Sequence, residues 1–104
     1  MREFLHVDDL AQAVVFSLEN SLQDHLYNVG TGIDITIKDL AYLVQDVTKH
    51  EGLVRWDNTK PDGTPRKLLD IGRLKDCGWY PKITLKSGLN ETYEWFKANY
   101  DNLL

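Results

Sequence analysis

Apolar side chains recur at helical spacing in three long segments of the chain. Asp8 is the expected N-cap of a helix from about residue 9 to 19. Thr36 and Asp39 form a capping-box-like pair that opens a second helix, which Gly52 ends, and Thr84 caps a last helix. The side chains expected to face the core are, helix by helix, Leu10, Ala13, Val14 and Leu18; Ile37, Leu40, Ala41, Val44 and Val47; and Leu85, Leu89, Tyr93, Phe96, Tyr100 and Leu103.

Three short apolar runs, at residues 4–7, 26–29 and 53–56, predict β-strands. Asp70 is the expected cap of a short helix over about 71–77, with Gly78 as its stop. The sequence therefore predicts one small mixed α/β domain over residues 1–104, with about three short strands and three to four helices. It shows no internal repeat, low-complexity tract or linker.

Length and charge exclude several classes of protein. The chain has 104 residues, too few for a complete nucleotide-dependent oxidoreductase, whose cofactor domain alone needs well over about 100 residues. A formal net charge of −4 disfavours binding to nucleic acid or to an anionic membrane. No apolar run approaches the ~18 residues of a membrane span. The single cysteine excludes an internal disulfide and favours a reducing, cytoplasmic setting.

Positive charge is concentrated in one segment. Between residues 55 and 75 there are six Lys and Arg residues and only three Asp residues. The loop at residues 60–67 carries three of these cations and Asp62, an acceptor suited to sugar or base donors, and Arg2 stands just before the first apolar run. A guanidinium can bind a phosphate in a bidentate fork, so these residues suggest a clamp for a nucleotide diphosphate. A solvated surface loop explains the charge equally well.

Three other motifs carry a simpler structural explanation. The Gly30-Thr31-Gly32 turn lacks the third glycine of a dinucleotide fingerprint, since position 35 is isoleucine. Tyr93 and Lys97 match the Tyr-x-x-x-Lys pair of short-chain dehydrogenases, but no cofactor fold precedes them and Tyr93 lies on the expected buried stripe. The three histidines are scattered and predict no metal site.

Two sequence runs resemble a known family. The opening run MREFLHVDDLA is similar to the start of the C-terminal part of extended short-chain dehydrogenase/reductases that act on nucleotide sugars. The run KPDGTPRKLLD at residues 60–70 narrows the resemblance to the GDP-L-fucose synthase family. That resemblance implies the C-terminal substrate-binding part of such an enzyme, without its Rossmann domain. The family epimerises GDP-4-keto-6-deoxy-D-mannose at C3 and C5 and reduces it at C4 with NADPH, giving GDP-L-fucose.

The resemblance also implies roles for individual residues. Arg2 and Asp62 match substrate-binding positions, and Lys67 matches a lysine that contacts the nucleotide diphosphate. Lys60 and Arg66 are added as neighbours of the diphosphate on electrostatic grounds alone. The family's NADP-binding domain, its Ser/Tyr/Lys triad and its Cys/His epimerisation pair all precede this region. We therefore expect no catalytic residue, no metal ligand and no NADP binding in this chain alone.

The expected partners are a GDP-sugar substrate and an N-terminal Rossmann half, with self-association through the surface that this half would cover. Two alternatives remain open at the level of the sequence. The chain could be a stand-alone binding or regulatory module for a phosphorylated ligand or a protein partner, or a non-functional remnant.

Overall fold

The computed structural model describes residues 1–103, which form four helices and a two-stranded antiparallel ribbon. The elements, in chain order, are β1 (Arg2–Glu3), α1 (Val7–Glu19), β2 (Asp34–Ile35), α2 (Ile37–Thr48), α3 (Gly72–Asp76) and α4 (Leu85–Leu103). The small mixed helix and strand domain that the sequence predicts is confirmed at this level. The expected number and position of the strands are not.

The prediction of strands at residues 4–7, 26–29 and 53–56 is wrong for the described part of the chain. A strand needs a neighbour that offers a ladder of backbone hydrogen bonds. The 26–29 segment is instead held by side chains, since the Asn28 amide donates to the Asp70 carbonyl at 3.1 Å. β2 was not predicted, because two residues are too few to show an alternating pattern.

The helix starts follow from their caps. Thr36 caps α2 as expected, with its hydroxyl oxygen accepting the Asp39 N–H at 3.1 Å. α1 begins earlier than expected because His6 caps it instead of Asp8, and His6 Nδ1 accepts the Asp8 N–H at 3.1 Å. The expected end of α2 at Gly52 is also wrong, since the helix ends at Thr48.

The core is small and lies where α1 meets the segment that contains α3. Ala13, Leu74 and Trp79 are buried there, and five half-buried side chains pack around them: Leu5, Phe16, Leu22, Tyr27 and Val29. α2 packs separately against α4. Trp79 is thus part of the core.

The prediction that Leu10, Ala13, Val14 and Leu18 of α1 face the core is wrong for three of these residues, which are exposed. Ala13 is buried, but Leu10, Val14 and Leu18 are 46%, 54% and 82% exposed. α1 has apolar residues on two sides, and the side that carries Ala13 and Phe16 packs into the small core. The second half of α4 is uncovered as well, with Phe96 42% and Tyr100 45% exposed.

Candidate nucleotide-diphosphate site

The basic loop returns alongside the start of the chain. Arg2 pairs with Ile35 of β2 on one side, in an antiparallel register. On its other side Arg2 forms a parallel bridge with Lys67, and the Lys67 N–H donates to the Met1 carbonyl at 3.1 Å. β1 therefore lies between β2 and residues 65–67. This arrangement brings together two of the predicted site residues, Arg2 and Lys67.

The Arg2 guanidinium is hydrogen-bonded to the loop at residues 60–67. Its Nη1 donates to the Thr64 carbonyl at 2.6 Å and to the Met1 carbonyl at 2.8 Å. Gly63 lies close over the group, because a Cβ built there would be 3.1 Å from Arg2 Nη2. Within residues 1–103 only Nη1 of this guanidinium donates hydrogen bonds to the protein, which leaves the N–H groups on Nε and Nη2 without a described acceptor.

A cleft of about 460 Å³ opens beside these two cations, lined by Arg2, Glu3, Lys67, Leu68 and Leu69. The volume lies within the roughly 300–1,000 Å³ of typical small-molecule sites. Arg2 is half-buried and Lys67 is exposed. Within residues 1–103 no carboxylate forms an ion pair with Lys67, so its charge is available to an anion in the cleft.

The other predicted site residues lie outside the lining of this cleft. Asp62 and Lys60 are exposed on the loop, and within residues 1–103 neither makes a side-chain hydrogen bond or ion pair. The Arg66 guanidinium is bound to Asp34, with Nε 2.6 Å from Oδ2. The structure therefore gives Arg66 a protein partner and leaves Asp62 and Lys60 pointing to no other group.

The Glu3 carboxylate lies against the glycine turn at residues 30–32. Its Oε2 accepts the Gly32 N–H at 2.5 Å, and a Cβ on Gly30 would be 2.7 Å from Oε1. Gly32 also has a φ of 74°, a conformation that favours glycine. The turn is closed by the chain's own carboxylate, which supports its interpretation as structural rather than dinucleotide-binding.

Asp9 is a buried carboxylate that sequence reasoning missed. Its side-chain oxygens accept the Lys82 N–H at 3.1 and 3.2 Å and the Ile83 N–H at 3.0 Å. The residue is 3% exposed. Asp9 thereby ties α1 to the segment that leads into α4. No local sequence signal could have found it, because its partners are more than 70 residues away.

The Tyr93 and Lys97 pair has the geometry of a helix surface, not of a reductase site. The Lys97 ammonium lies 4.8 Å from the centre of the Tyr93 ring and 2.8 Å from a Glu94 carboxylate oxygen. The hydrogen bond that Lys97 donates to Glu94 raises the pKa of Lys97 above its ordinary value. The ammonium is thus committed to its neighbour on α4.

One cluster in the described residues has metal-ligand chemistry, formed by His6, Asp8 and Glu91. Asp8 approaches His6 Nδ1 at 3.9 Å, whereas Glu91 approaches Nε2 at 3.6 Å. The two carboxylates therefore lie on different nitrogens of the ring, and Nδ1 already accepts the Asp8 N–H. The ligand atoms of the three residues lie within 4.8 Å of one another, and His6 Nδ1 is engaged in capping α1.

Among residues 1–103, no helix is both long and apolar enough to cross a membrane. No protein-family model matches the chain. GDP-L-fucose synthase 1 of Arabidopsis thaliana is 51% identical to it over 102 residues, which cover 98% of this chain and 32% of the relative. GDP-L-fucose synthase of Escherichia coli strain K12 is 48% identical, covering 97% of this chain and 34% of the relative. The chain is therefore similar along nearly its whole length to GDP-L-fucose synthases.

The chain spans about a third of the length of these GDP-L-fucose synthases and matches their C-terminal portion. A solved structure gives the same result for the fold. The GDP-mannoheptose C4 reductase from Campylobacter jejuni, solved with NADP bound, has a TM-score of 0.80 and 34% sequence identity; the match covers 92% of this chain and 31% of that protein. This reductase and the GDP-L-fucose synthases are extended short-chain dehydrogenase/reductases, a family that uses NADP.

Proposed function

We propose that this chain is the GDP-sugar-binding C-terminal part of a GDP-L-fucose synthase. In that role it holds GDP-4-keto-6-deoxy-D-mannose while the sugar is epimerised at C3 and C5 and reduced at C4 by NADPH. The chain contributes binding and orientation, and the reacting groups belong to an N-terminal Rossmann part. On its own the chain neither binds NADPH nor turns over substrate.

The observation that carries the proposal is the pairing of Arg2 with Lys67 at the edge of one cleft. Two cations on neighbouring backbones present a guanidinium fork and an ammonium to the same volume, which suits the two phosphates of a nucleoside diphosphate. A cation pair of this kind orients the hexose by fixing the group next to it.

The remaining predicted residues complete the site from the loop. Asp62 is an exposed acceptor in the loop that Arg2 holds, and it is available to sugar or base hydroxyl and amino donors. Lys60 adds positive charge at the entrance of the same loop. Both roles are proposals that rest on the position of the loop and on the family's sequence pattern.

The exposed apolar stripe of α1 supports the proposal that this helix binds a protein partner. Leu10, Val14 and Leu18 lie on one side of this helix, and nothing within residues 1–103 covers them. We propose that the Rossmann part covers this stripe. In the absence of that part, the same stripe promotes self-association of the chain.

Calorimetric titration with GDP tests the proposal. We expect weak binding to the wild-type chain and an affinity at least about tenfold lower for Lys67→Ala, because a charge-assisted contact is lost. Lys86→Ala is the matched control, since it removes the same charge from an exposed position on α4 and should bind as the wild type does. The absence of binding even at millimolar GDP would contradict the proposal and favour a different ligand, a protein partner or a non-functional remnant.

A further inference from the structure

An ion pair crosses the ribbon behind the proposed site. Arg66 Nε donates to Asp34 Oδ2 at 2.6 Å, and Arg66 Nη2 donates to Asp34 Oδ1 at 3.4 Å. The Asp34 side chain is 7% exposed and that of Arg66 is 60% exposed. Two hydrogen bonds between a planar guanidinium and a buried carboxylate fix the orientation of the two side chains as well as the distance between them.

The register places this pair on the face opposite to Lys67. Residues directly across a ribbon share a face, so Arg2, Ile35 and Lys67 lie on one face. Successive residues of an extended segment alternate, so Asp34 and Arg66 belong to the other face. The Arg66 side chain thus crosses β1 on this second face and contacts Asp34 of β2.

The loop has few other attachments. Residues 55–70 are all exposed. Apart from the Arg66–Asp34 pair, the described hydrogen bonds that join them to distant parts of the chain are Lys67 N–H to the Met1 carbonyl, the Met1 nitrogen to the Pro65 carbonyl, Arg2 to the Thr64 carbonyl, and the Asn28 amide to the Asp70 carbonyl. The first three of these contacts involve the first two residues of the chain, and the fourth lies at the end of the segment, at Asp70. The Arg66–Asp34 pair is the one described side-chain contact that ties the loop to β2.

We infer that Asp34 and Arg66 are positioning residues, which hold Lys67 beside Arg2 so that both cations meet one nucleotide diphosphate. The inference rests on the proposed function and deepens it. Arg66 then acts through Lys67 and does not itself touch the phosphates, in contrast to the direct electrostatic role that its charge alone suggests.

Asp34→Asn separates these two roles. The substitution removes a negative charge and releases the Arg66 guanidinium, so a direct phosphate contact by Arg66 predicts equal or tighter binding of GDP. A positioning role predicts weaker binding, since Lys67 loses its fixed place. We expect Asp34→Asn and Arg66→Gln each to weaken GDP binding by about tenfold, a loss expected when a binding group is misplaced.

Three companion variants sharpen the test. The double variant Asp34→Asn/Arg66→Gln should bind no more weakly than either single variant, because both remove one shared interaction. Arg66→Lys keeps the charge without the fork and should recover only part of the affinity. Arg55→Gln removes the same charge from the same basic segment and serves as the control, with unchanged binding.

Amide hydrogen exchange at residue 67 supplies a readout that does not depend on GDP. Faster exchange at this amide in Asp34→Asn and Arg66→Gln, with the rest of the spectrum preserved, is the expected result. Wild-type affinity for GDP in Asp34→Asn, or unchanged exchange at residue 67, overturns the inference and leaves the proposed function in place. A wild-type chain that binds no GDP overturns the proposed function, and the inference falls with it.

Discussion

Carboxylates at three positions shape the surroundings of the site. Glu3 closes the glycine turn, Asp9 anchors the approach to α4, and Asp34 holds Arg66. Sequence reasoning found none of these roles, because each carboxylate binds a group at least 29 residues away, beyond the reach of any local pattern. The structure brings Arg2 and Lys67 together, and their roles in anion binding stay predictions, drawn from the residue types and from the family resemblance.

Asp9→Asn should lower the free energy of unfolding by about 2 kcal/mol. The reason is that a buried anionic acceptor for two backbone N–H groups becomes a neutral amide that satisfies them less well. Thermal or urea unfolding of the chain measures the change.

Asp8→Asn is the control for this comparison. The Asp8 side chain is 72% exposed and its contact with His6 is 3.9 Å long, so the expected change is within about 0.5 kcal/mol. Equal losses in the two variants would show that Asp9 is not the anchor described here.

At the scale of elements, the helices were more predictable than the strands. Periodic apolar residues and a Thr36 cap indicated the presence and the start of α2 correctly, because the signals of a helix are local. The expected strand at residues 53–56 had the right composition, but a strand also requires a partner, and the described chain offers none there. For the same reason, the pattern on α1 predicted an apolar face without saying whether the core or another surface covers it.

The outer face of α1 should govern self-association and leave folding unaffected. Replacing both Leu10 and Leu18 by lysine is expected to reduce the concentration-dependent association of the chain, while the free energy of unfolding stays within about 0.5 kcal/mol. Sedimentation velocity and thermal unfolding measure the two effects.

Leu74→Ala is the contrasting variant. Leu74 is 1% exposed in the core, so its truncation should cost about 2–5 kcal/mol of stability. A wild-type chain that stays monomeric at every concentration, or a lysine variant as destabilised as Leu74→Ala, would argue against a docking role for this face.

The whole molecule exposes more surface than its mass requires. Its accessible surface is 8258 Å², whereas a folded monomer of 12.0 kDa exposes about 6,000 Å². Its radius of gyration is 16.6 Å, against about 13 Å for a compact chain of this length. These dimensions agree with a core cluster in which, among residues 1–103, only Ala13, Leu74 and Trp79 are buried.

Mapping of GDP on the chain by amide chemical shifts tests the central claim most directly. We expect GDP to shift the amides around the cleft, in residues 1–3 and 60–69, and to leave those of the α2 and α4 helices unchanged. Shifts that cluster elsewhere on the chain, or no shifts even at millimolar GDP, would contradict the assignment of Arg2 and Lys67 to a nucleotide-diphosphate site.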